Sequence, residues 1–142
     1  MRIMALDVGT KRIGVAVTDP LEIFAQPLTV LERKGMGSDV ALIFQLVRDY
    51  EVKLLIFGMP YTDEGTLDPK AKGITELKDK VAGLLKRKNR KNITVETWDE
   101  TMTTRDAHEE LKSAGVKHSA RKGIIDKIAA VKILESWMEA HR

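Results

Sequence analysis

Two acidic residues end segments of the sequence that are otherwise apolar or strand-like. Asp7 follows the apolar run 3–6 and precedes a Val-Gly-Thr turn, in which the glycine permits the close approach of a phosphate. Glu100 follows a run rich in threonine and valine, and strand alternation places Trp98 and Glu100 on one face and Asp99 on the other. A carboxylate at such a position is costly unless it is paired or binds a metal. The alternatives are that Asp7 caps its turn and that Asp99 or Glu100 caps the following helix.

A third acid, Asp126, lies on the apolar stripe of the last predicted helix. The residues that share this stripe follow it at helical spacing: Ala130, Ile133 and Trp137. Acids are rarely buried without a partner, so an acid on a packed stripe requires a physical reason. One reason is an ion pair, with Lys122 one turn earlier or with a buried arginine. The other reason, which we favour, is a metal ion.

Together the three acids predict a site for a hard divalent cation. The chain has no cysteine, and each of its three histidines is predicted to lie on the surface. Carboxylate oxygens without sulfur or imidazole ligands suit Mg²⁺ or Mn²⁺ rather than Zn²⁺. We therefore expect Asp7, Glu100 and Asp126 to converge when the chain folds.

The composition is typical of one compact α/β domain. The 142 residues, 43% of them hydrophobic, suffice for a single core. No apolar run is long enough to span a bilayer, and the first residues do not resemble a signal peptide. The absence of cysteine excludes disulfides, so we expect a cytoplasmic protein. The net charge of +3 comes from 24 basic and 21 acidic residues, which excludes a histone-like balance but permits local basic patches. The densest basic clusters, 86–91 and 117–122, are solvated loops or helix ends by default.

The hydrophobic pattern predicts three strands followed by alternating helices and strands. Short links favour hairpins between the runs 2–7, 12–18 and 23–31, and Pro27 predicts an edge position or a bulge for the third. The later elements are a helix that begins at Ser38 or Asp39, a strand at 53–57, a helix at 74–85, a strand at 93–98, a helix from Thr103 or Thr104 to Leu111, and a helix at 119–138. With right-handed crossovers this order, βββαβαβαα, gives a mixed five-stranded sheet with helices on both faces.

Four segments of the sequence match the motifs of a known family. They are the run from Asp7 to Asp19, the loop 58–60, the segment from Trp98 to Thr104 and the helical run 126–134. Together they resemble the bacterial YqgF family, also called RuvX, of Holliday junction resolvase-like proteins and pre-16S rRNA nucleases. The match extends over nearly the whole chain. One position departs from the pattern, because the family usually has arginine after the second acid and this chain has Thr101.

The resemblance implies an RNase H-like fold over residues 1–142 and a nuclease activity. It also implies that Asp7, Glu100 and Asp126 are the catalytic residues that bind the metal. The expected reaction is phosphodiester hydrolysis by two Mg²⁺ or Mn²⁺ ions about 4 Å apart, with Asp7 between them. One ion would lower the pKa of a bound water, and the other would stabilise the leaving 3′-oxygen.

Basic residues beside the acids are the candidates for binding nucleic acid. Lys11 and Arg12 follow Asp7, and Lys122 lies one helical turn before Asp126. Ordinary solvated charge is the alternative role for all three. By resemblance the substrate is precursor 16S rRNA, cut near its 5′ end, and the alternative is a branched DNA junction. Paired cuts in a junction require a symmetric dimer, so we expect a monomer or a homodimer, without membrane association.

Two other classes of function remain open. The turn after Asp7 also resembles the first phosphate loop of the actin and sugar-kinase superfamily, although those proteins use two domains. A single-domain nucleotide-binding module is therefore one alternative, and tight binding of ATP would favour it. A non-catalytic RNA-binding module is the other. It predicts that the basic runs are essential and that Asp7 and Asp126 are not.

Overall fold

The computed structural model describes residues 1–60, 69–100 and 118–142, with the side chains of 118–124 left out. In these ranges the chain forms β1 (Arg2–Val8), β2 (Arg12–Thr18), β3 (Ala25–Glu32), α1 (Met36–Asp49), β4 (Val52–Met59), α2 (Ala71–Arg87), β5 (Thr94–Asp99) and α3 (His118–Ala140). The helix predicted to end at Leu111 lies outside the described residues. None of the described helices combines the length and the apolar character that crossing a bilayer requires.

The five strands form one mixed sheet in the order β3–β2–β1–β4–β5. β2 pairs antiparallel with both β1 and β3, whereas β4 pairs parallel with both β1 and β5. The predicted hairpins and crossovers are therefore confirmed. Because β1, β4 and β5 run parallel, their carboxyl ends meet at one edge of the sheet, where sites form in folds of this kind.

β3 is an edge strand with a bulge, as Pro27 predicts. The register against β2 shifts between the pairs Val15–Thr29 and Ala16–Pro27, so one residue of β3 is left over between them. Proline has no N–H to donate to a sheet, and an edge strand with a bulge accommodates it.

The predicted start of β3 at Ile23 is too early by two residues. The Asp19 side chain accepts hydrogen bonds from the backbone N–H groups of Ile23 and Phe24, at 2.8 and 2.7 Å. These bonds hold the segment in a turn, and the strand begins only at Ala25. They also lower the pKa of Asp19, with the bond from Phe24 contributing most.

The predicted start of α1 at Ser38 or Asp39 is also wrong. The helix begins at Met36, after Gly35, whose φ of 128° suits glycine. Asp39 does not cap the helix, because its buried carboxylate forms an ion pair with Arg33 instead.

Two apolar cores cover the two faces of the sheet. α1 and α2 pack on one face and α3 packs on the other. The residues of β1 alternate between them: Met4, Leu6 and Val8 belong to the first core, and Ile3 and Ala5 belong to the second. Asp7 continues the second set, so strand alternation places it on the face that α3 covers.

The chain's two tryptophans join the C-terminal part of α3 to β5. Trp98 Nε1 donates a hydrogen bond to Ser136 Oγ at 3.0 Å, and Trp137 Nε1 donates to Glu96 Oε1 at 3.4 Å. The His141 ring stacks on Trp137 with 4.0 Å between the ring centroids. These contacts hold the helix against the strand that leads to the second acid.

Candidate active site

The candidate site lies where β1, β4 and β5 end. Asp7 is the Cα partner of Gly14 across the β1–β2 hairpin. Glu100 directly follows β5, and its N–H donates to the carbonyl oxygen of Met59 at 3.1 Å. Two glycines beside this edge determine what can pack above Asp7.

Gly58 leaves the space that the Glu100 side chain occupies. A Cβ at this position would lie 2.7 Å from Glu100 Oε2 and 2.5 Å from Cδ1 of Ile133 in α3. Such distances are too short for packed atoms, so a larger residue would displace one of the two side chains. Gly58 follows Phe57, the partner of Leu6 in β1. Glu100 is thereby directed over the sheet towards Asp7.

Gly14 leaves comparable space for the main chain of α3. A Cβ on Gly14 would overlap the carbonyl oxygen of Asp126. Since Gly14 is the strand partner of Asp7, the absence of this side chain brings α3 close to the first acid. The three acids therefore approach the site from β1, from the end of β5 and from α3, the elements to which the sequence assigns them.

Asp7 and Glu100 share a hydrogen bond between their carboxyl groups. Burial, the negative charge of Asp7 and this hydrogen bond raise the pKa of Glu100 to about 9, which favours the protonated form of Glu100 in the metal-free protein. Burial also raises the pKa of Asp7, opposed by the bond from Glu100 and reinforced by the charge of Asp126. Oε2 of Glu100 is buried and has no hydrogen-bond partner among the described residues.

Asp126 is held by an arginine beside this carboxyl pair. Arg12 Nε donates to Asp126 Oδ2 at 2.9 Å, and the two side chains are 25% and 22% exposed. Pairing with arginine is one of the two explanations that the sequence offers for Asp126. Among the described residues, no three acidic or histidine side chains lie close enough together to hold one metal ion. The described site is thus a carboxyl pair with a third acid at its side.

The carboxyl groups of Asp7 and Glu100 suit a hard divalent cation. They provide oxygen ligands, and one of those oxygens, Glu100 Oε2, is buried without a partner among the described residues. A cation beside the pair would replace the shared proton and satisfy that oxygen. Asp126 can complete such a site if its carboxylate exchanges Arg12 for the ion.

The predicted basic residues occupy different situations. Lys11 is exposed, and Arg12 is engaged by the third acid. Lys122 lies within α3, but its side chain is outside the described part of the chain, as is Thr101.

The sequence interpretation missed Lys70, which directly precedes α2. Burial raises the pKa of both Asp7 and Glu100, and the positive charge of Lys70 acts on both in the opposite direction. Its position at the start of a helix that follows a central strand could have indicated it, since such helix starts lie beside the strand ends.

The interpretation also missed an ion pair that supports the turn after Asp7. Arg33 Nε donates to Asp39 Oδ2 at 2.9 Å, and Arg33 Nη1 donates to the carbonyl oxygen of Gly9 at 2.9 Å. The Asp39 side chain is only 2% exposed. The Gly9 N–H closes the turn on the carbonyl oxygen of Arg12 at 2.8 Å. Arg33 therefore ties the loop between Asp7 and Arg12 to α1.

Sequence comparison places the chain among a set of bacterial proteins. The family model RuvX, described as Holliday junction resolvase, matches residues 1–140. A relative from Syntrophus aciditrophicus (strain SB) is 39% identical over 140 residues, which cover 99% of this chain and 89% of the relative. A relative from Heliobacterium modesticaldum (strain ATCC 51547 / Ice1) is 40% identical over 140 residues, covering 99% and 90%. Both carry the name "Putative pre-16S rRNA nuclease".

Solved structures share the fold at low sequence identity. Thermus thermophilus RuvC in complex with a Holliday junction substrate aligns with a TM-score of 0.61 at 15% identity, covering 99% of this chain and 95% of RuvC. The fowlpox virus resolvase in complex with junction DNA aligns with a TM-score of 0.55 at 14% identity, covering 99% of each chain. The predicted RNase H-like α/β fold is confirmed. With the family match over residues 1–140, the chain belongs to the RuvX family of nucleases.

Proposed function

We propose that residues 1–142 act as one metal-dependent endonuclease domain, which hydrolyses phosphodiester bonds of RNA to mature the 5′ end of precursor 16S rRNA. The observation that carries the proposal is the Asp7–Glu100 carboxyl pair at the end of the parallel strands, with a buried oxygen that lacks a partner among the described residues. The names of the curated relatives support the substrate class. This substrate implies a cytoplasmic site of action.

Asp7, Glu100 and Asp126 are the residues that would hold Mg²⁺ or Mn²⁺. When bound, a pair of such ions supplies an activated water at neutral pH and stabilises the leaving oxygen. The chain's own residues position the carboxyl groups that would bind these positive ions. β1 fixes Asp7, and Gly58 leaves room for Glu100 to reach it. A bound cation would favour loss of the shared carboxyl proton to solvent.

Positive side chains around the acids would hold the phosphate backbone. Lys11 is exposed in the turn after Asp7, and Lys70 is exposed at the start of α2. Arg12 contributes a planar guanidinium group, which suits a phosphate, next to the acids. Positive side chains near the carboxyl pair favour a polyanionic substrate over a neutral one.

Cutting of branched DNA is the second candidate function, and the family's description as a Holliday junction resolvase supports it. The two candidates differ in what they require of the assembly. A single cut in RNA needs one active site, whereas paired cuts across a junction need two sites related by symmetry.

A parallel cleavage assay tests the proposal. The purified protein is incubated with a precursor 16S rRNA fragment and with a four-way DNA junction, in Mn²⁺ and in chelator. The expected result is cutting of the RNA in Mn²⁺, with 5′-phosphate ends, and no cutting in chelator or by Asp7→Asn. Cutting of the junction alone would replace the RNA proposal by the resolvase function.

Two further outcomes would contradict an endonuclease of either kind. Tight ATP binding in a calorimetric titration, without cleavage of either nucleic acid, would favour a nucleotide-binding module. Full biological function of Asp7→Asn, together with its loss when the basic residues are replaced, would favour a non-catalytic RNA-binding module.

A further inference from the structure

We infer that Arg12 is an internal counter-ion that competes with the divalent cation for Asp126 and releases this acid when its guanidinium group binds a phosphate of the nucleic acid. The inference rests on the proposed function, because it concerns the metal ion and the nucleic acid that the site would bind. Its consequence is that metal and nucleic acid promote each other's binding.

The main chain of Asp126 is fixed against the sheet, so its carboxylate can change partners only by rotation of the side chain. Gly14 lets the main chain of Asp126 pack directly on β2, so this main chain has no space to move closer to the sheet. The side chain is therefore the part that can turn. In the described structure it turns to Arg12, at 2.9 Å, although its charge also reaches Asp7.

Arg12 is placed to serve both partners. It begins β2 two residues before Gly14, so strand alternation puts both on the face that α3 covers. The contact from Nε uses one of the five N–H donors of the guanidinium group. Two parallel bonds from Nε and one Nη to a phosphate would take Nε from Asp126. The side chain is 25% exposed, so nucleic acid can reach it.

This exchange also explains why the acids do not form a group of three among the described residues. Asp126 is instead paired with Arg12, whose Nε lies 2.9 Å from the carboxylate. A divalent cation must displace this arginine to gain all three acids. Displacing the arginine costs binding free energy unless a phosphate replaces Asp126 as the partner of the arginine.

The first test measures Mn²⁺ affinity by calorimetry without nucleic acid. Arg12→Gln should bind Mn²⁺ about fivefold more tightly than the wild type, which corresponds to about 1 kcal/mol for a partly shielded ion pair. Lys11→Gln is the matched control, because it removes the same charge from the same turn at an exposed residue, whereas the described ion pair of Asp126 is with Arg12. It should produce a clearly smaller gain. When Asp126→Asn is already present, adding Arg12→Gln should increase Mn²⁺ affinity by no more than Lys11→Gln does.

The second test measures binding of a single-stranded RNA by filter retention in excess chelator, where no cleavage occurs. Asp126→Asn should bind the RNA more tightly than the wild type, because Arg12 is released for the phosphates. Asp7→Asn removes a carboxylate from the same site but leaves Arg12 paired, so its gain should be smaller. The Arg12→Gln/Asp126→Asn double variant should lose the increase in RNA affinity, because it has no arginine at position 12.

The outcomes separate this inference from the proposed function. Equal or weaker Mn²⁺ binding by Arg12→Gln, in a protein whose Mn²⁺ binding is abolished by Asp7→Asn, overturns the role of Arg12 and leaves the metal site standing. Absence of Mn²⁺ binding in the wild type and in every variant overturns both. A circular dichroism spectrum of each variant verifies that it is folded.

Discussion

Asp7 of β1 and Gly14 of β2 are Cα partners, and this pairing brings the last helix of the chain beside its first acid. The main chain of Asp126 packs on Gly14 where any other residue would carry a side chain. The separation of the first and third acids is therefore determined by an absent methyl group. Gly14 is a residue of the site although it has no side chain to contribute chemistry.

Gly14→Ala should destabilise the protein and impair cleavage together. The added methyl group overlaps the Asp126 carbonyl oxygen, and such overpacking typically costs about 1–3 kcal/mol in the free energy of unfolding. Urea denaturation followed by circular dichroism measures this change. Gly73→Ala in α2 is the matched control, because a Cβ there meets no described atom within 4 Å. It should raise stability by about 0.4–1 kcal/mol, and an equal loss in both variants would contradict the packing argument.

Asp7→Asn should abolish metal-dependent cleavage and leave the fold intact. The amide keeps the size of the carboxyl group but gives up the negative charge that a cation requires. We expect the rate to fall by more than the about 10–100-fold that loss of a residue supporting a metal ligand costs. Thermal unfolding in chelator should be unchanged or shifted upward, because burial raises the pKa of Asp7 and so disfavours its charged form. Wild-type cleavage rates in this variant would refute the assignment.

Glu100→Gln should remove a pH dependence of stability from the metal-free protein. The pKa of Glu100 is about 9 in the folded protein and 4.5 as its ordinary value. Above pH 4.5 the unfolded chain loses a proton that the folded protein keeps, so the free energy of unfolding falls as the pH rises towards 9. The slope is at most about 1.4 kcal/mol per pH unit. Denaturant titrations in chelator across this range should show a flatter profile for the variant, and parallel profiles would contradict the shared proton.

Arg33→Leu should destabilise the protein strongly, because it leaves the carboxylate of Asp39, 2% exposed, without its charged partner. Removal of one member of a buried pair costs about 3–5 kcal/mol, whereas replacing both members by leucine should recover most of this loss. The matched control is Arg48→Leu, which breaks the ion pair between Arg48 and Asp49. The side chains of this pair are 49% and 48% exposed. It should change the free energy of unfolding by less than about 1 kcal/mol. Similar losses in both single variants would argue against a special role of the buried pair.

The sheet and the strand positions of two of the acids could be predicted because their signals are local. Strand alternation alone places Glu100 and Trp98 on one face, and it directs Asp7 to the same side of the sheet as Ala5. Proline chemistry alone predicts an edge position or a bulge at Pro27, and the structure has both. Such signals extend over a few residues and do not depend on the rest of the fold.

The partners of the charged groups could not be predicted, because they depend on distant contacts. Arg12 and Asp126 are separated by 114 positions, and their contact requires the packing of α3 on Gly14. Asp39 satisfies the local rule for a helix start, yet Arg33 from the preceding segment competes for its carboxylate and prevails. Local preferences are worth about 1 kcal/mol, whereas an unpaired buried charge costs several times more.

The two tryptophans provide an optical reporter of how the site is assembled. Both indole rings lie in the contact between β5 and α3, the strand and the helix that carry the second and third acids to the first. Detachment of the helix would expose both rings to water and shift their fluorescence emission to longer wavelength. A dye-free measurement on the native sequence can therefore follow the docking of the last helix separately from the folding of the remaining sheet.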